Sequence, residues 1–252
     1  MLTESQRERI QVILVSPRNP LNIGAVARAM ANFGFTRMRV VAPYEPHWRE
    51  ARSAVGAPQL LIDAQETASL PEAIRDCLLV LGTGTLTHRK PEQPVVRLDQ
   101  LAPLMTEPLR RGERVALIFG PEKHGLTRED LSYCHILVEI PTDPRQPSMN
   151  LGQAAAVCFY ELAARIQVDS VGLEPPQDAE EPAPTSSNLD VLANLIEEVM
   201  TSTNYSPKTM QAANRHDLRL MLRRLHLNAA DTRRALGFFR RILWRLKRGR
   251  HT

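Results

Sequence analysis

The stretch that decides the fold of this 252-residue chain is ILVEIPTDPRQPSMNLGQAAAVCFYELAAR, residues 136–165. It begins with an apolar run typical of a buried strand, passes through a loop with three prolines, and ends in a helical pattern. We predict that helix over Asn150–Arg165, with Leu151, Ala155, Phe159 and Leu162 on one face. Ser148 and Asn150 are natural caps, because short polar side chains accept hydrogen bonds from the first amides of a helix.

Four similar apolar runs precede this stretch. They are VILV at 12–15, MRVVA at 38–42, LLVLGT at 78–83 and VALIFG at 115–120, with helices predicted at Gly24–Asn32 and Pro71–Asp76. Such near-continuous apolar strands are typical of a parallel sheet that is covered on both faces. We therefore predict an α/β domain over residues 1–168, with a mostly parallel sheet flanked by helices.

The pattern changes at VDSVGLEPPQDAEEPAPTSSN, residues 168–188, where proline and acidic residues favour an extended tether. We place a linker at 169–187 and a small α-helical domain at 188–252. The helices of that domain are predicted at Leu189–Met200, Lys208–Leu227 and Ala230–Arg248. In the last helix, one apolar stripe is formed by Leu236, Phe239, Leu243 and Leu246.

Positive charge is concentrated in the helical domain. Residues 186–252 hold 13 Lys and Arg against 5 Asp and Glu, whereas residues 1–185 hold 19 against 23. A compact cationic segment beside a near-neutral body favours binding of a polyanion such as RNA or DNA. We assign RNA contact to Arg233, Arg234, Arg240, Arg241 and Arg245. On charge alone, a helix with merely solvated charges is the alternative.

Several protein classes are disfavoured by composition. No apolar run approaches the roughly 18 residues that span a bilayer, and the N-terminus lacks the basic-then-apolar order of a secretion signal. We therefore expect a cytoplasmic protein without membrane attachment. The cysteines are odd in number and never spaced as Cys-x-x-Cys, which argues against a disulfide framework and a structural zinc site. We expect no metal, and reduced core cysteines at Cys77, Cys134 and Cys158.

Three unusual loops follow predicted strands, and ligands of open α/β sheets bind beyond such strand ends. The loops are SPRNPLNIGAVARAMANFGF at 16–35, LGTGTLTHRK at 81–90, and IFGPEKHGLT at 118–127 with EIPTDPRQPSMNLGQAAAV at 139–157. In the first, Asn22 is predicted to cap a helix that begins near Ile23. Arg28 then lies one to two turns along, where a guanidinium can grip a phosphate or carboxylate. The simpler alternative is that Asn22 only caps and Arg28 only covers the sheet edge.

The motifs NPLNIGAVARAMANFGF, IFGPEKHGLT and IPTDPRQPSMNLGQAAAVCFYEL resemble the three signature motifs of the SPOUT class of RNA 2′-O-ribose methyltransferases. The first motif is similar in particular to the TrmJ branch, and the resemblance covers roughly residues 10–165. It implies a deep trefoil knot at the C-terminal end of the α/β domain, which holds a bent S-adenosylmethionine. It also implies a homodimer whose active sites form where the two knots meet.

The resemblance further implies roles for individual residues. The catalytic set is Asn22, Arg28, Ser148 and Asn150, of which the first two engage the target ribose and phosphate. The set that contacts the cofactor is Thr83, Gly84, Thr85, Gly120, Glu122, Ile140, Ser148, Met149 and Leu151. Without the resemblance, the position of Glu122 in the sequence predicts only that it shapes a loop. Leu86 departs from the family, which often carries an arginine in this loop, and Arg89 is the nearest substitute for RNA contact. Pro147 stands where a serine is commoner.

These expectations describe a tRNA 2′-O-methyltransferase that, by resemblance to the TrmJ branch, acts on the ribose at position 32 of the anticodon loop. No general base is evident in the motifs, so Arg28 is predicted to align the phosphate and stabilise the developing alkoxide. Two alternatives stay open: methylation of another RNA such as rRNA, and a non-catalytic RNA-binding or assembly factor. An NAD-dependent oxidoreductase is disfavoured, because no GxGxxG fingerprint is present.

Overall fold

The computed structural model of the protein describes residues 2–85, 91–166 and 183–248. The chain divides into two compact units, Met1–Glu174 and Pro175–Thr252. Most of the predicted linker at 169–187 lies outside the described residues, so the predicted domain limits stay a prediction. Across the three described ranges, no helix is both long and apolar enough to cross a bilayer.

The first unit is built on a sheet of seven parallel strands. In chain order they are β1 (Ile10–Val15), β2 (Arg37–Val41), β3 (Gln65–Thr67), β4 (Leu79–Thr83), β5 (Val95–Arg97), β6 (Val115–Phe119) and β7 (Ile136–Glu139). Their order across the sheet is β3-β2-β1-β6-β4-β7-β5. Every residue of β1 and β6 is buried, which explains their unbroken apolar sequence. The predicted α/β class with a parallel sheet is confirmed.

Helices cover both faces of this sheet. They are α1 (Glu4–Arg7), α2 (Pro20–Phe33), α3 (Pro58–Ile62), α4 (Leu70–Ile74), α5 (Leu101–Arg110), α6 (Arg128–Leu131) and α7 (Leu151–Arg165), with 3-10 turns at Trp48–Glu50 and Leu98–Gln100. Alternate side chains of β1 enter two separate cores. Val12 and Leu14 pack in the core of α2, α5 and α7, whereas Ile13 and Val15 pack in the core of α4 and α6.

The close packing of α2 against α7 positions the functional site. A Cβ atom on Gly152, in the first turn of α7, would lie 2.7 Å from the Cβ of Ala25. Further along α7, the ring of Phe159 lies 5.1 Å from that of Phe35 and 6.2 Å from that of Phe119. The glycine therefore allows the two helices to approach, and the aromatic cluster fixes their position over the sheet.

The second unit contains α8 (Ser186–Ser202), α9 (Gln211–Arg224) and α10 (Ala229–Arg248). Its core is formed by Leu192, Ala193, Leu218 and Leu222. From α10, Leu236 and Phe239 pack against that core, Leu243 is buried and Leu246 is half-buried, so the predicted apolar stripe is confirmed. The opposite side of α10 exposes the five predicted RNA-contacting arginines: Arg233, Arg234, Arg240, Arg241 and Arg245.

Candidate functional site

A cavity of about 280 Å³ opens beyond the carboxyl ends of three adjacent strands, β6, β4 and β7. Its walls come from the segment 83–85 after β4, the segment 119–126 after β6, and the residues between β7 and the first turn of α7. The predicted loops after β4, β6 and β7 therefore meet at one pocket, as expected for an open parallel sheet. The predicted loop at 16–35, after β1, supplies none of the residues that line this cavity.

All nine residues predicted to contact a cofactor line this cavity: Thr83, Gly84, Thr85, Gly120, Glu122, Ile140, Ser148, Met149 and Leu151. The remaining lining residues, which were not predicted to contact a cofactor, are Phe119, Pro121, Lys123, His124, Gly125, Leu126, Thr142, Pro147 and Ala154. All of them lie within the quoted loops, so the signal for them was their position in a loop that follows a strand. Leu86 and Arg89 lie outside the described residues.

Side-chain hydroxyl groups hold the segment 83–85 in place. Thr83 Oγ1 donates to the carbonyl of Ile118 in β6 at 2.8 Å. Thr85 Oγ1 donates to the carbonyl of Pro147 at 3.1 Å, and Thr142 Oγ1 donates to the same carbonyl at 3.1 Å. The loop after β4 and the loop before α7 are therefore bonded to each other across the cavity.

The segment after β6 folds back on itself at two glycines. Gly125 has a φ of 62°, in the left-handed region that favours glycine, and its N–H donates to the carbonyl of Pro121 at 2.8 Å. This turn brings the backbone of Gly125 and Leu126 so close to Gly120 that a Cβ on Gly120 would collide with it. Gly120 is therefore needed for the wall of the cavity to close.

The carboxylate of Glu122 joins this segment to the loop after β1. It accepts hydrogen bonds from the backbone N–H groups of Arg18 and Asn19, both at 3.0 Å, and from Asn22 Nδ2 at 2.9 Å. Burial alone would raise the pKa of Glu122, but the hydrogen bonds from Asn22 and from backbone amides hold it below its ordinary value. Glu122 is consequently an anion at neutral pH.

The side chain of Asn150 extends this hydrogen-bond chain to α7. Asn150 Nδ2 donates to Asn22 Oδ1 at 2.9 Å, while Asn150 Oδ1 accepts from the N–H groups of Gly152 and Gln153. The predicted capping of α7 by Asn150 is confirmed. Glu122, Asn22 and Asn150, one residue from each motif, form a continuous chain that we call the amide relay.

Two predicted caps are wrong. Asn22 does not cap α2, because the helix begins at Pro20 and its N-cap is Asn19, whose side chain accepts from the N–H of Leu21 at 2.9 Å. Proline is favoured at the first helical position, where its missing N–H needs no partner. Ser148 does not cap α7 either, since it lies two residues before the N-cap and is exposed on the cavity wall.

Arg28 lies outside the cavity wall of its own chain. It is exposed on α2, six residues after Asn22, which places it about 9 Å along the helix and about 240° around it. Among the described residues it forms no hydrogen bond or ion pair. It shares its helix face with Leu21, seven residues earlier, a residue that is 55% exposed.

A parallel sheet with two motifs lining one cavity, and with the first motif bonded to both of them through Asn22, is the arrangement expected of a SPOUT-class methyltransferase. The model of the SpoU rRNA methylase family matches residues 9–160, and the chain belongs to this family. Family membership confirms the predicted methyltransferase class and, with it, S-adenosylmethionine as the methyl donor.

Relatives with assigned names agree with this family. The chain is 40% identical over 156 residues to tRNA (cytidine/uridine/adenosine-2′-O-)-methyltransferase TrmJ of Pseudomonas aeruginosa, a match that covers 62% of this chain and 60% of that protein. It is 30% identical over 243 residues to tRNA (cytidine/uridine-2′-O-)-methyltransferase TrmJ of Salmonella typhimurium, covering 94% and 95%. The crystal structure of TrmJ from Z. mobilis ZM4 superposes with a TM-score of 0.79 at 30% identity, covering 92% of this chain and 98% of that one.

Substitution of Gly120 by alanine is expected to destabilise the first unit, because the added methyl group collides with the backbone of Gly125 and Leu126. Overpacking of this kind costs about 1–3 kcal/mol. Differential scanning fluorimetry without ligand should show a fall in Tm of about 3–10 °C. The matched control is Gly84→Ala in the same cavity, where an added Cβ has no neighbour within 4 Å and Tm should not change. Equal Tm values for both variants would contradict the proposed packing.

Proposed function

We propose that this chain transfers a methyl group from S-adenosylmethionine to a ribose 2′-hydroxyl of tRNA, at position 32 of the anticodon loop, in the cytoplasm. The amide relay at the rim of the cavity is the observation that carries this proposal. The names of the Pseudomonas and Salmonella relatives support tRNA as the substrate, and the resemblance to the TrmJ branch supports position 32.

The walls of the cavity suit a ligand with apolar and polar parts. Ile140, Met149 and Leu151 offer apolar surface to an adenine ring and a methionine chain, while the backbone of Gly84 and Gly120 is accessible to polar groups. Small-molecule sites commonly combine mostly apolar walls with a few fixed polar groups. When bound, S-adenosylmethionine supplies a methyl group on a positively charged sulfur atom.

The relay is suited to holding a weak nucleophile in line. A side-chain amide carries two N–H donors, and Asn22 and Asn150 each use one of them inside the relay. In the described part of the chain, neither second N–H has a protein acceptor, so both are available to oxygen atoms of the ribose. Ser148, exposed on the cavity wall, can hold the 2′-hydroxyl from the other side. Fixed orientation of this kind lowers the entropic part of the barrier.

Glu122 is not the proton acceptor of the reaction. Its carboxylate already accepts three hydrogen bonds and its pKa lies below the ordinary value, which makes it a weak base. Its role is to set the orientation of the Asn22 amide. Stabilisation of the developing alkoxide is left to a cation, and Arg28 of the first motif is the residue we propose for it.

A homodimer explains how Arg28 can act at a cavity although it does not line the cavity of its own chain. Leu21, Val157 and Tyr160 are exposed on α2 and α7, and Tyr160 alone is 59% exposed. Exposed apolar side chains on neighbouring helices favour an interface between proteins. We propose that a second copy covers this face, so that Arg28 of each protomer reaches the rim of the cavity in its partner.

The second unit supplies general affinity for the RNA backbone. The exposed side of α10 carries arginines on successive turns, and the guanidinium carbons of Arg241 and Arg248 lie 4.3 and 4.6 Å from the ring centroid of Trp244. Cations spaced along one helix can neutralise several phosphates without reading the sequence.

The proposed activity predicts methylation of an unmodified tRNA transcript by the purified protein with S-adenosylmethionine. Mass-spectrometric mapping should place one methyl group on the ribose at position 32, and tRNA from cells lacking the gene should lose it. Methylation of rRNA instead of tRNA would favour the first alternative, a SPOUT-class enzyme that acts on another RNA. Binding of S-adenosylmethionine without methylation of any RNA would favour the non-catalytic alternative.

The proposed dimer predicts recovery of activity when two inactive variants are mixed. Arg28→Ala and Ser148→Ala should each lower kcat by about 100-fold or more, since each removes a group that acts on the reacting oxygen. After subunit exchange, an equal mixture should regain about a quarter of the wild-type rate, because half of the dimers carry one intact site. A mixture of Ser148→Ala with Asn150→Ala is the control and should stay inactive. An inactive Arg28→Ala and Ser148→Ala mixture would place both groups on one chain.

The proposed role of α10 predicts a change in salt dependence. Arg240→Ala with Arg245→Ala should weaken tRNA binding and reduce the slope of log K against log salt by about two, one for each lost phosphate contact. Titration calorimetry should give unchanged binding of S-adenosylmethionine, whose cavity lies in the first unit. Met221→Ala, an exposed but uncharged position in α9, is the control for the slope. An unchanged slope in the double variant would remove α10 from the RNA interface.

A further inference from the structure

Two residues in the segments that follow β1 and β2 have a left-handed backbone. Ser16 has a φ of 45° and Ala42 has a φ of 42°, values that are uncommon for residues other than glycine. Hydrogen bonds hold both in place, since the N–H of Ser16 donates to Val41 at 2.8 Å and that of Ala42 donates to Thr67 at 3.0 Å. Strained residues of this kind persist where the surroundings fix them, and they cluster at functional sites.

These fixed segments bring Arg18 and Tyr44 together. The guanidinium carbon of Arg18 lies over the ring of Tyr44, 4.9 Å from its centroid. The N–H of Tyr44 donates to the carbonyl of Pro17 at 3.1 Å, so the two segments are also bonded through their backbones. Tyr44 is nevertheless 66% exposed. One ring face is therefore backed by a cation, and the other is open to solvent.

The Arg18–Tyr44 pair is attached directly to the amide relay. The N–H of Arg18 donates to Glu122 Oε2, while the other oxygen of the same carboxylate accepts from Asn22. An exposed aromatic ring with a stacked arginine is thus held at the edge of the site that orients the ribose. Its position is fixed by the same group that fixes Asn22.

We propose that Tyr44 is a base-stacking residue for the RNA substrate, on whose open face an unpaired base at or next to the methylated ribose stacks. This inference rests on the proposed function. A ribose that enters the cavity must bring its nucleotide out of the stack of a loop, and an aromatic face replaces the lost stacking. Stacking on tyrosine tolerates any base, which suits a site that positions ribose. Arg18 holds the ring and adds a positive charge near the phosphates.

The test compares Tyr44→Ala, Tyr44→Phe and Tyr44→Trp in methylation of a tRNA transcript. Tyr44→Ala should raise the KM for tRNA by about 5-fold to 100-fold, the range found for loss of one stacked base. The Kd for S-adenosylmethionine and Tm should stay unchanged, because Tyr44 is largely exposed and belongs to neither core of the described part of the first unit. The aromatic variants should keep KM within about twofold of the wild type. The matched control is Tyr205→Ala, which removes another exposed tyrosine from the second unit.

A spectroscopic readout locates the base. With 2-aminopurine placed at one anticodon-loop position at a time, binding to the wild type should quench one position, and Tyr44→Ala should not quench it. Unchanged KM and unchanged quenching in Tyr44→Ala would overturn the inference. A parallel loss of S-adenosylmethionine affinity or Tm would also overturn it, by indicating a structural role. Failure of the wild type to methylate tRNA would instead contradict the proposed function.

Discussion

The functional site depends on one carboxylate, that of Glu122, which joins the segment after β6 to the loop after β1 and the start of α2. Glu122 lies about 100 residues along the chain from Arg18 and Asn19, and its carboxylate accepts hydrogen bonds from the backbone N–H groups of both and from the side-chain amide of Asn22. Hydrogen bonds to a charged acceptor are stronger than those between neutral groups. The same bonds define the direction of the Asn22 amide and, through it, that of Asn150. Stability of the loops and orientation of the polar groups therefore have one common cause.

This arrangement is rigid because it is built on strand ends and helix starts. Asn150 is bonded to the first amides of α7, and Gly152 lets that turn touch α2 at Ala25. Gly120 likewise lets the backbone of Gly125 and Leu126 approach the end of β6. Groups held by such elements keep their geometry better than groups on free loops, which matters when the nucleophile is a weak hydroxyl. The chemistry proposed for the site is assigned to a few polar side chains, and glycine residues allow the close packing that places them.

The sequence predicted the long buried strands, because burial on both faces leaves an unbroken apolar run, and it predicted α2, α4 and α7. It missed β3 and β5, which have three residues each and are partly exposed at the sheet edges. It also missed α3 and α5, although the buried residues of α5 recur at helical spacing. It also placed the start of α2 at Ile23, because Pro20 indicated a turn when it is in fact the first helical residue. The family resemblance predicted nine of the eighteen residues that line the cavity. The contact between Glu122 and Asn22 and the pairing of Arg18 with Tyr44 depend on tertiary distances that no local pattern encodes.

Arg28 belongs to the first motif, and the resemblance predicts that it acts on the substrate, but in the monomer it lies outside the cavity wall. Rotation of α2 cannot bring Arg28 to the cavity of its own chain, because the helix is packed tightly at two points. A Cβ on Gly24 would already collide with Ser53 and the backbone of Ala54, and Ser53 Oγ donates to the carbonyl of Leu21 at 2.7 Å. The contact of Gly152 with Ala25 fixes the opposite side. The catalytic role proposed for Arg28 therefore requires the cavity of a second copy of the chain, which is why the proposed mechanism and the proposed homodimer depend on each other.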